Sequence, residues 1–166
     1  MQWLVDGYNV IRRDPDLRGH EAESLEAGRK ALLRLLAHAR GAAGDQFTVV
    51  FDGARVSGGG EPSEGRTRTI FSRPPRTADD ELMRLARQWR EGAVVVSSDR
   101  KIQDAARRAG CPVLTAEQFL DGLVAPSDDE RDEPDDDRPR EKKGNPRRLS
   151  REARAAQRAL RRLREP

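Results

Sequence analysis

What this 166-residue sequence lacks excludes several common classes of protein. A single cysteine, Cys111, excludes an intramolecular disulfide and any zinc site that several cysteines would build. Aromatic residues make up only 4%, which disfavours a β-sandwich anchored on tryptophan and tyrosine. No apolar run approaches the roughly 20 residues of a membrane-spanning helix, and no signal-peptide pattern follows Met1. We therefore expect a cytoplasmic protein that makes no membrane contact.

Charged residues are abundant, at 37%, and the net charge of +3 hides how unevenly they are distributed. Residues 1–126 are nearly balanced, with 19 basic and 18 acidic side chains. Eight acidic residues and one basic residue occupy positions 127–137, and 12 basic and three acidic residues occupy 138–166. Segments of like charge with few apolar residues do not fold alone. We predict a domain over residues 1–126, a disordered charged linker over 127–148 and an arginine-rich helical tail over 149–166.

Short apolar runs alternate with helical patterns in the first 126 residues, which is typical of a parallel sheet covered by helices. The runs predict five strands, at residues 2–5, 47–51, 67–71, 93–97 and 112–114. The second and fourth runs are apolar on both faces, as internal strands are, whereas the third alternates and is expected at an edge. The sequence therefore predicts an α/β fold of three layers with a mainly parallel five-stranded sheet.

Four helices are predicted between or after these strands, from apolar residues that recur every three or four positions. The first is a long helix over residues 21–43, and two more carry the apolar positions within 82–89 and 102–109. Gly110 is expected to end the third helix in the left-handed conformation. Thr115, followed three residues later by a glutamine, forms the sequence pattern of a capping box and predicts the start of the fourth.

The predicted tail helix has only a thin apolar stripe, formed by Ala153, Ala156, Leu160 and Leu163, and Ser150 is placed to cap it. Arginines dominate the rest of its surface. We expect this helix to need a partner in order to fold, and RNA phosphates are the simplest such partner. A solubilising tail without a specific ligand is the alternative.

Acidic residues follow the predicted strands. Asp6 follows the first strand, Asp52 the second and Asp99 the fourth, while Asp79 and Asp80 open the helix before the fourth. In a parallel sheet these positions share the edge where ligands bind. Clustered carboxylates raise each other's pKa values unless a cation offsets their charge, and no lysine or histidine lies within these motifs. Mg²⁺ or Mn²⁺ would resolve the repulsion, and such an ion activates water and phosphate for phosphodiester hydrolysis.

Each aspartate also has a purely structural interpretation. Asp80 suits a capping box with Thr77, and Asp99 suits a helix cap. Asp6 and Asp52 each precede a glycine, as turn residues do. These separate explanations would all have to coincide at one edge of the sheet, so the metal site is the preferred hypothesis.

Other chemistries lack their motifs in this sequence. Neither the glycine-rich turn of a dinucleotide site nor a P-loop is present. His20 and His38 lie far from the aspartates along the chain, so no nucleophilic triad is predicted.

Four short motifs together resemble one known family. They are residues 4–11 (LVDGYNVI), 49–53 (VVFDG), 77–79 (TAD) and 96–99 (VSSD). Their combination, order and spacing are similar to the NYN domain, a branch of the PIN-like nucleases, and within it to the bacterial YacP-like members. The resemblance covers about residues 1–124. It implies a Rossmann-like PIN/NYN fold and a metal-dependent endoribonuclease, with some members acting on messenger RNA at the ribosome.

The resemblance also implies roles for individual residues. Asp6, Asp79 and Asp99 would hold Mg²⁺ or Mn²⁺ and, with Asn9, form the catalytic set. Asn9 would orient Asp6 or bind substrate, because its amide both donates and accepts hydrogen bonds. The implied supporting residues are Asp52, Asp80 and Ser98. YacP-like proteins usually end near the last helix of the domain, so the charged tail would depart from the family pattern.

Substrate RNA is expected to contact basic residues near the acidic edge. We predict phosphate contacts from six arginines in or near the adjoining loops: Arg55, Arg66, Arg68, Arg73, Arg76 and Arg100. Ordinary solvated arginines are the alternative. For the whole protein, the rival hypotheses are a non-catalytic RNA-binding or ribosome-associated module with the same fold, and a nuclease that acts on DNA. Carboxylates repel phosphate and give a pure binder no benefit, which favours the enzyme.

Overall fold

Five parallel strands form the sheet of the computed structural model, which describes residues 1–39, 44–53, 65–124 and 150–164. The strands are β1 (Gln2–Asp6), β2 (Gln46–Phe51), β3 (Thr67–Phe71), β4 (Ala93–Val96) and β5 (Val113–Leu114). Their order across the sheet is β3-β2-β1-β4-β5, and each neighbouring pair is parallel. The predicted three-layer α/β fold is confirmed, with β3 at an edge and β2 and β4 inside the sheet.

Seven α-helices lie within the described ranges. They are α1 (Gly7–Ile11), α2 (Pro15–Glu23), α3 (Leu25–Ala37), α4 (Ala78–Trp89), α5 (Arg100–Ala109), α6 (Ala116–Val124) and α7 (Arg151–Arg164). A 3₁₀ turn, Arg90–Gly92, joins α4 to β4. Among the helices of these ranges, none combines the length and apolar character that crossing a membrane requires.

The prediction of one long helix over residues 21–43 is wrong. The helical region divides at Ser24, whose backbone is extended (φ −165°, ψ 153°) and whose side chain accepts a hydrogen bond from the Ala27 amide. Ser24 therefore ends α2 and caps α3. Asp14 caps α2 in the same way, with Pro15 in its first turn. Both capping residues are of types that favour helix starts. The single long helix was predicted from its apolar spacing alone, and that spacing continues across Ser24.

Two apolar cores lie on opposite faces of the sheet because alternate residues of each strand point to opposite sides. In β1, Trp3 and Val5 face a layer of α1, α2, α3, α6 and α7, whereas Leu4 faces α4 and α5. The predicted end of α5 and the predicted start of α6 are both confirmed. Gly110 has a left-handed φ of 88°, and Thr115 forms the predicted reciprocal capping box at the start of α6.

The arginine-rich helix α7 packs against the domain. Ala159 and Leu163 are fully buried in the same core as Trp3, and Arg162 Nε lies 2.8 Å from a carboxylate oxygen of Asp45. The expectation that this helix needs an external partner to bury its apolar stripe is therefore wrong, because the stripe completes one face of the sheet. Ser150 caps the helix as predicted. The predicted linker, residues 127–148, lies outside the described residues, and the three-part division of the chain stays a prediction.

Candidate functional site

The carboxyl edge of the sheet carries an open cavity of about 450 Å³. Asp6 ends β1, Asp52 follows β2, Asp99 follows β4, and Asp79 lies in the first turn of α4. All four carboxylates line this cavity, together with Tyr8, Asn9, Arg12, Arg13, Thr77 and Ala78. The parallel topology thus brings together side chains that are up to 93 positions apart in the sequence.

Helix N-termini hold three of these carboxylates at the edge. Asp6 caps α1 and accepts a hydrogen bond from the Asn9 amide at 3.3 Å. Asp99 caps α5 and accepts from the amides of Lys101 and Ile102 at 2.7 and 3.3 Å. Asp79 lies in the first turn of α4. The amide groups at a helix start favour negative charge, which partly offsets the mutual repulsion of the carboxylates.

Ser97 and Asn9 connect the elements that carry the acids. The fully buried Ser97 hydroxyl donates to Asp6 Oδ2 at 2.9 Å and accepts from the Asp99 amide at 3.1 Å. The Asn9 side-chain oxygen accepts from the Ser98 amide at 2.8 Å, and so ties α1 to the loop between β4 and α5. Asn9 therefore positions the Asp99 loop through its side chain and Asp6 through its backbone. Sequence reasoning gave Ser97 no role, although it directly follows β4.

Burial dominates the electrostatics of Asp6. The pKa of Asp6 is raised from 3.8 to about 6, chiefly because burial penalises the charged form and, to a smaller extent, because the charges of Asp79 and Asp99 lie nearby. The hydrogen bonds from Ser97 and Asn9 act in the opposite direction, since they stabilise the ionised form. A cation in the cavity would oppose the upward shift and lower the pKa of Asp6 again.

Removing the Ser97 hydroxyl is expected to move the titration of Asp6 to still higher pH. In chelator, the Ser97→Ala protein should be less stable by about 1 to 3 kcal/mol, because Asp6 loses a hydrogen bond that favours its charge. Stability should continue to fall with rising pH at values where the unmodified protein has already levelled off. Thermal unfolding between pH 4 and 9 measures this. The same substitution in an Asp6→Asn background should give no pH-dependent difference, and an equal shift there would contradict the assigned contact.

The donor set fits a hard divalent cation, since carboxylate oxygens around an open, hydrated cavity are what Mg²⁺ and Mn²⁺ prefer. As the side chains stand, however, the described residues contain no group of three acidic, histidine or cysteine side chains close enough to hold one ion. Asp79 is turned toward Lys101, whose Nζ lies 3.7 Å from its Oδ2, and Asp99 is engaged as a helix cap. The predicted ligand set of Asp6, Asp79 and Asp99 stays a prediction. No lysine lies within the acidic motifs, but Lys101, two residues after Asp99, reaches Asp79 from the first turn of α5.

The predicted supporting residues have structural contacts. Asp52 Oδ1 accepts from the Ser72 hydroxyl at 3.3 Å, which ties the end of β2 to the end of β3. Asp80 forms a reciprocal capping box with Thr77 and does not line the cavity. Ser98 donates to Glu117 at 2.8 Å and accepts from the first amide of α6. Ser98 therefore joins the edge of the sheet to α6.

The predicted RNA-binding arginines divide by position. Arg66 precedes β3 and so lies at the amino edge, where it donates to the Ala39 carbonyl and stacks over the Phe47 ring at 5.7 Å. This corrects its expected place near the acidic edge and removes it from the proposed set. Arg73 and Arg76 follow β3, Arg100 opens α5, and Arg68 is an exposed residue of β3. Arg55 lies outside the described residues. Two arginines that sequence reasoning missed, Arg12 and Arg13, line the cavity from the end of α1.

Comparison with known proteins gives consistent matches. Residues 3–163 match the family described as the YacP-like NYN domain. The protein YacP of Bacillus subtilis (strain 168) is 35% identical over 121 residues, which cover 70% of this chain and 71% of the relative. Two crystal structures of Rae1 (YacP) from Bacillus subtilis, one of a point mutant, match with TM-scores of 0.62 and 0.64 and identities of 29% and 31%. Each match covers 74% of this chain, and the two matches cover 74% and 73% of the respective Rae1 chains. The family match reaches α7, so the expected departure of the tail from the family pattern is wrong.

Proposed function

Because the chain belongs to the YacP-like NYN family, a branch of the PIN-like nucleases, we propose that it is a metal-dependent endoribonuclease. The observation that carries the proposal is the environment of Asp6. This mostly buried carboxylate has a pKa raised to about 6 and shares one open cavity with Asp79 and Asp99. Such an arrangement is costly for a fold and useful for holding a divalent cation.

Asp6, Asp79 and Asp99 are the residues that would hold Mg²⁺ or Mn²⁺ in this proposal. When bound, the cation supplies Lewis acidity that favours attack of water on a phosphodiester and offsets the charge that grows on the phosphate oxygens. The chain itself supplies the position of these acids. Ser97 joins Asp6 to the Asp99 amide, and the Asn9 side chain holds the loop between β4 and α5.

Basic groups at the same edge would bind the phosphates of the substrate. Arg12 and Arg13 line the cavity, and Lys101 stands beside Asp79 with about two thirds of its side chain exposed. Arg73 and Arg76 adjoin the edge from the end of β3. Phosphate contacts of this kind position a nucleic acid without reading its sequence. Messenger RNA at the ribosome stays a prediction that rests on the family resemblance.

A circular RNA tests both the reaction and its internal mode of cleavage, because a circle has no ends for an exonuclease. We expect the purified full-length protein to linearise and then fragment this RNA with Mn²⁺ or Mg²⁺, and to leave it intact with chelator. A circular DNA of the same sequence is the matched control. Cleavage of the DNA circle would indicate a nuclease that acts on DNA. If the RNA is bound but stays circular with both metals, the protein is instead a non-catalytic RNA-binding module.

A further inference from the structure

The ion pairs of helix α7 lie at the amino edge of the sheet, opposite the carboxylates. Its Arg162 contacts Asp45, the residue before β2, and its Arg151 lies 3.0 Å from Glu91, which precedes β4. Gly122, near the end of α6, lies against Leu160 of α7. Asp45 and Glu91 precede strands that begin at the amino edge, and Gly122 lies near the end of the helix that runs back from the carboxyl end of β5. No residue of α7 lines the cavity that holds Asp6.

The exposed face of α7 is a stripe of arginines. Arg151, Arg154, Arg158 and Arg161 are exposed. With 3.6 residues per turn they fall within about 80° of one another around the helix, and they span about 15 Å along it. The buried Ala159 and Leu163 occupy the opposite side. We refer to these four residues as the arginine stripe.

Distance separates the arginine stripe from the cavity. Four residue steps of β1 separate Gln2 at the amino edge from Asp6 at the carboxyl edge, which is about 13 Å of strand. No residue of α7 lines the cavity, and its ion pairs to Asp45 and Glu91 lie at the amino edge, so a strand of RNA in the cavity must run down the outside of the domain to reach the stripe. A short oligonucleotide held at Asp6 does not extend that far.

We propose that the arginine stripe binds the phosphate backbone of a second segment of the RNA, outside the cavity, and so favours long or folded RNA over short strands. This inference rests on the proposed function for the nature of its ligand. Guanidinium groups match phosphates in geometry and charge, and an exposed row of them on a docked helix binds without regard to sequence. Packing of α7 against the core holds the row in place before RNA arrives, which reduces the entropy lost on binding.

The test removes three of the four stripe arginines and leaves the ion pairs of Arg151 and Arg162 and the buried Leu163 of α7. The triple variant Arg154→Gln, Arg158→Gln, Arg161→Gln keeps Arg151, Arg162 and Leu163, and glutamine forms helices nearly as well as arginine. Its matched control loses the same charge elsewhere: Arg18→Gln, Arg87→Gln, Arg108→Gln, three exposed arginines on other helices. Affinity for a 40-nucleotide hairpin RNA is measured in chelator, so that no cleavage interferes. The same proteins are then assayed with Mn²⁺ on that RNA and on a hexamer.

We expect the stripe variant to bind the hairpin about tenfold more weakly at low salt, with a salt dependence reduced by about two to three ions. The ratio of kcat/KM for the hairpin to kcat/KM for the hexamer should also fall about tenfold. The control triple should change each value by less than about twofold. An equal loss of affinity in the two triple variants, or an unchanged affinity in the stripe variant, would overturn the inference. If wild-type protein cleaves neither RNA, the proposed function fails, while the affinity comparison still decides the role of the stripe.

Discussion

Replacement of Asp6 by asparagine is expected to reduce RNA cleavage by more than about a hundredfold and to stabilise the protein in chelator. Asparagine keeps the size of the side chain and an oxygen that can accept from Ser97, but it lacks the negative charge that holds a divalent cation. Because changes to residues that only support a metal ligand already cost 10- to 100-fold, loss of a ligand should cost more. Initial rates on a circular RNA with Mn²⁺ measure this loss.

The gain in stability follows from the raised pKa of Asp6. The folded protein holds this proton with a pKa of about 6, compared with 3.8 for the free group, so ionisation above pH 6 costs the fold about 2 to 3 kcal/mol. This group therefore contributes stability at pH 4 that is lost as the pH rises through 6. Asparagine stays neutral, so the variant should match wild type near pH 4 and melt about 4 to 10 °C higher at pH 8.

Asp121→Asn is the matched control, because it removes one exposed carboxylate from α6, away from the cavity. It should change neither the cleavage rate nor the melting temperature at pH 8. Full activity of Asp6→Asn would remove the basis for the catalytic assignment. Lost activity together with an unchanged pH profile would instead mean that Asp6 is not buried as the structure places it.

Local patterns in the sequence were sufficient for much of the fold. The five apolar runs predicted the strands to within one residue at each end, because strands buried on both faces have little freedom in composition. Gly110 and Thr115 marked helix ends through backbone and side-chain chemistry that acts within a few residues. The shared edge of Asp6, Asp52 and Asp99 then followed from parallel topology alone.

Contacts between distant parts of the chain were not predictable in this way. Ser97 reaches Asp6 across 91 positions, and its role depends on β1 and β4 being neighbours in the sheet. The place of Arg66 at the amino edge followed from the predicted strand that begins after it, whereas its contacts there with Ala39 and Phe47 did not. A thin apolar stripe on a short helix does not indicate which surface it covers. For α7 that information lies in the strands, where Trp3 and Phe47 leave apolar surface on one face.

Leu163→Ala is expected to destabilise the whole domain by about 3 kcal/mol, although this residue lies in an arginine-rich helix near the end of the chain. Leu163 is 1% exposed and belongs to the core formed by Trp3, Phe47 and Phe119, so its truncation leaves a cavity in that core. Urea unfolding followed by tryptophan fluorescence is a suitable measurement, because Trp3 lies in the affected core. The midpoint should move to lower urea with little change in slope.

Arg154→Ala, on the exposed face of the same helix, is the control and should change the free energy of unfolding by less than about 0.5 kcal/mol. A similarly small effect of Leu163→Ala would contradict the docking of α7. A large effect means that the arginine stripe rests on a helix that folds with the acidic edge of the sheet as one cooperative unit. RNA bound at the stripe would then stabilise the sheet that carries Asp6, since a ligand of the folded state stabilises everything that unfolds with its site.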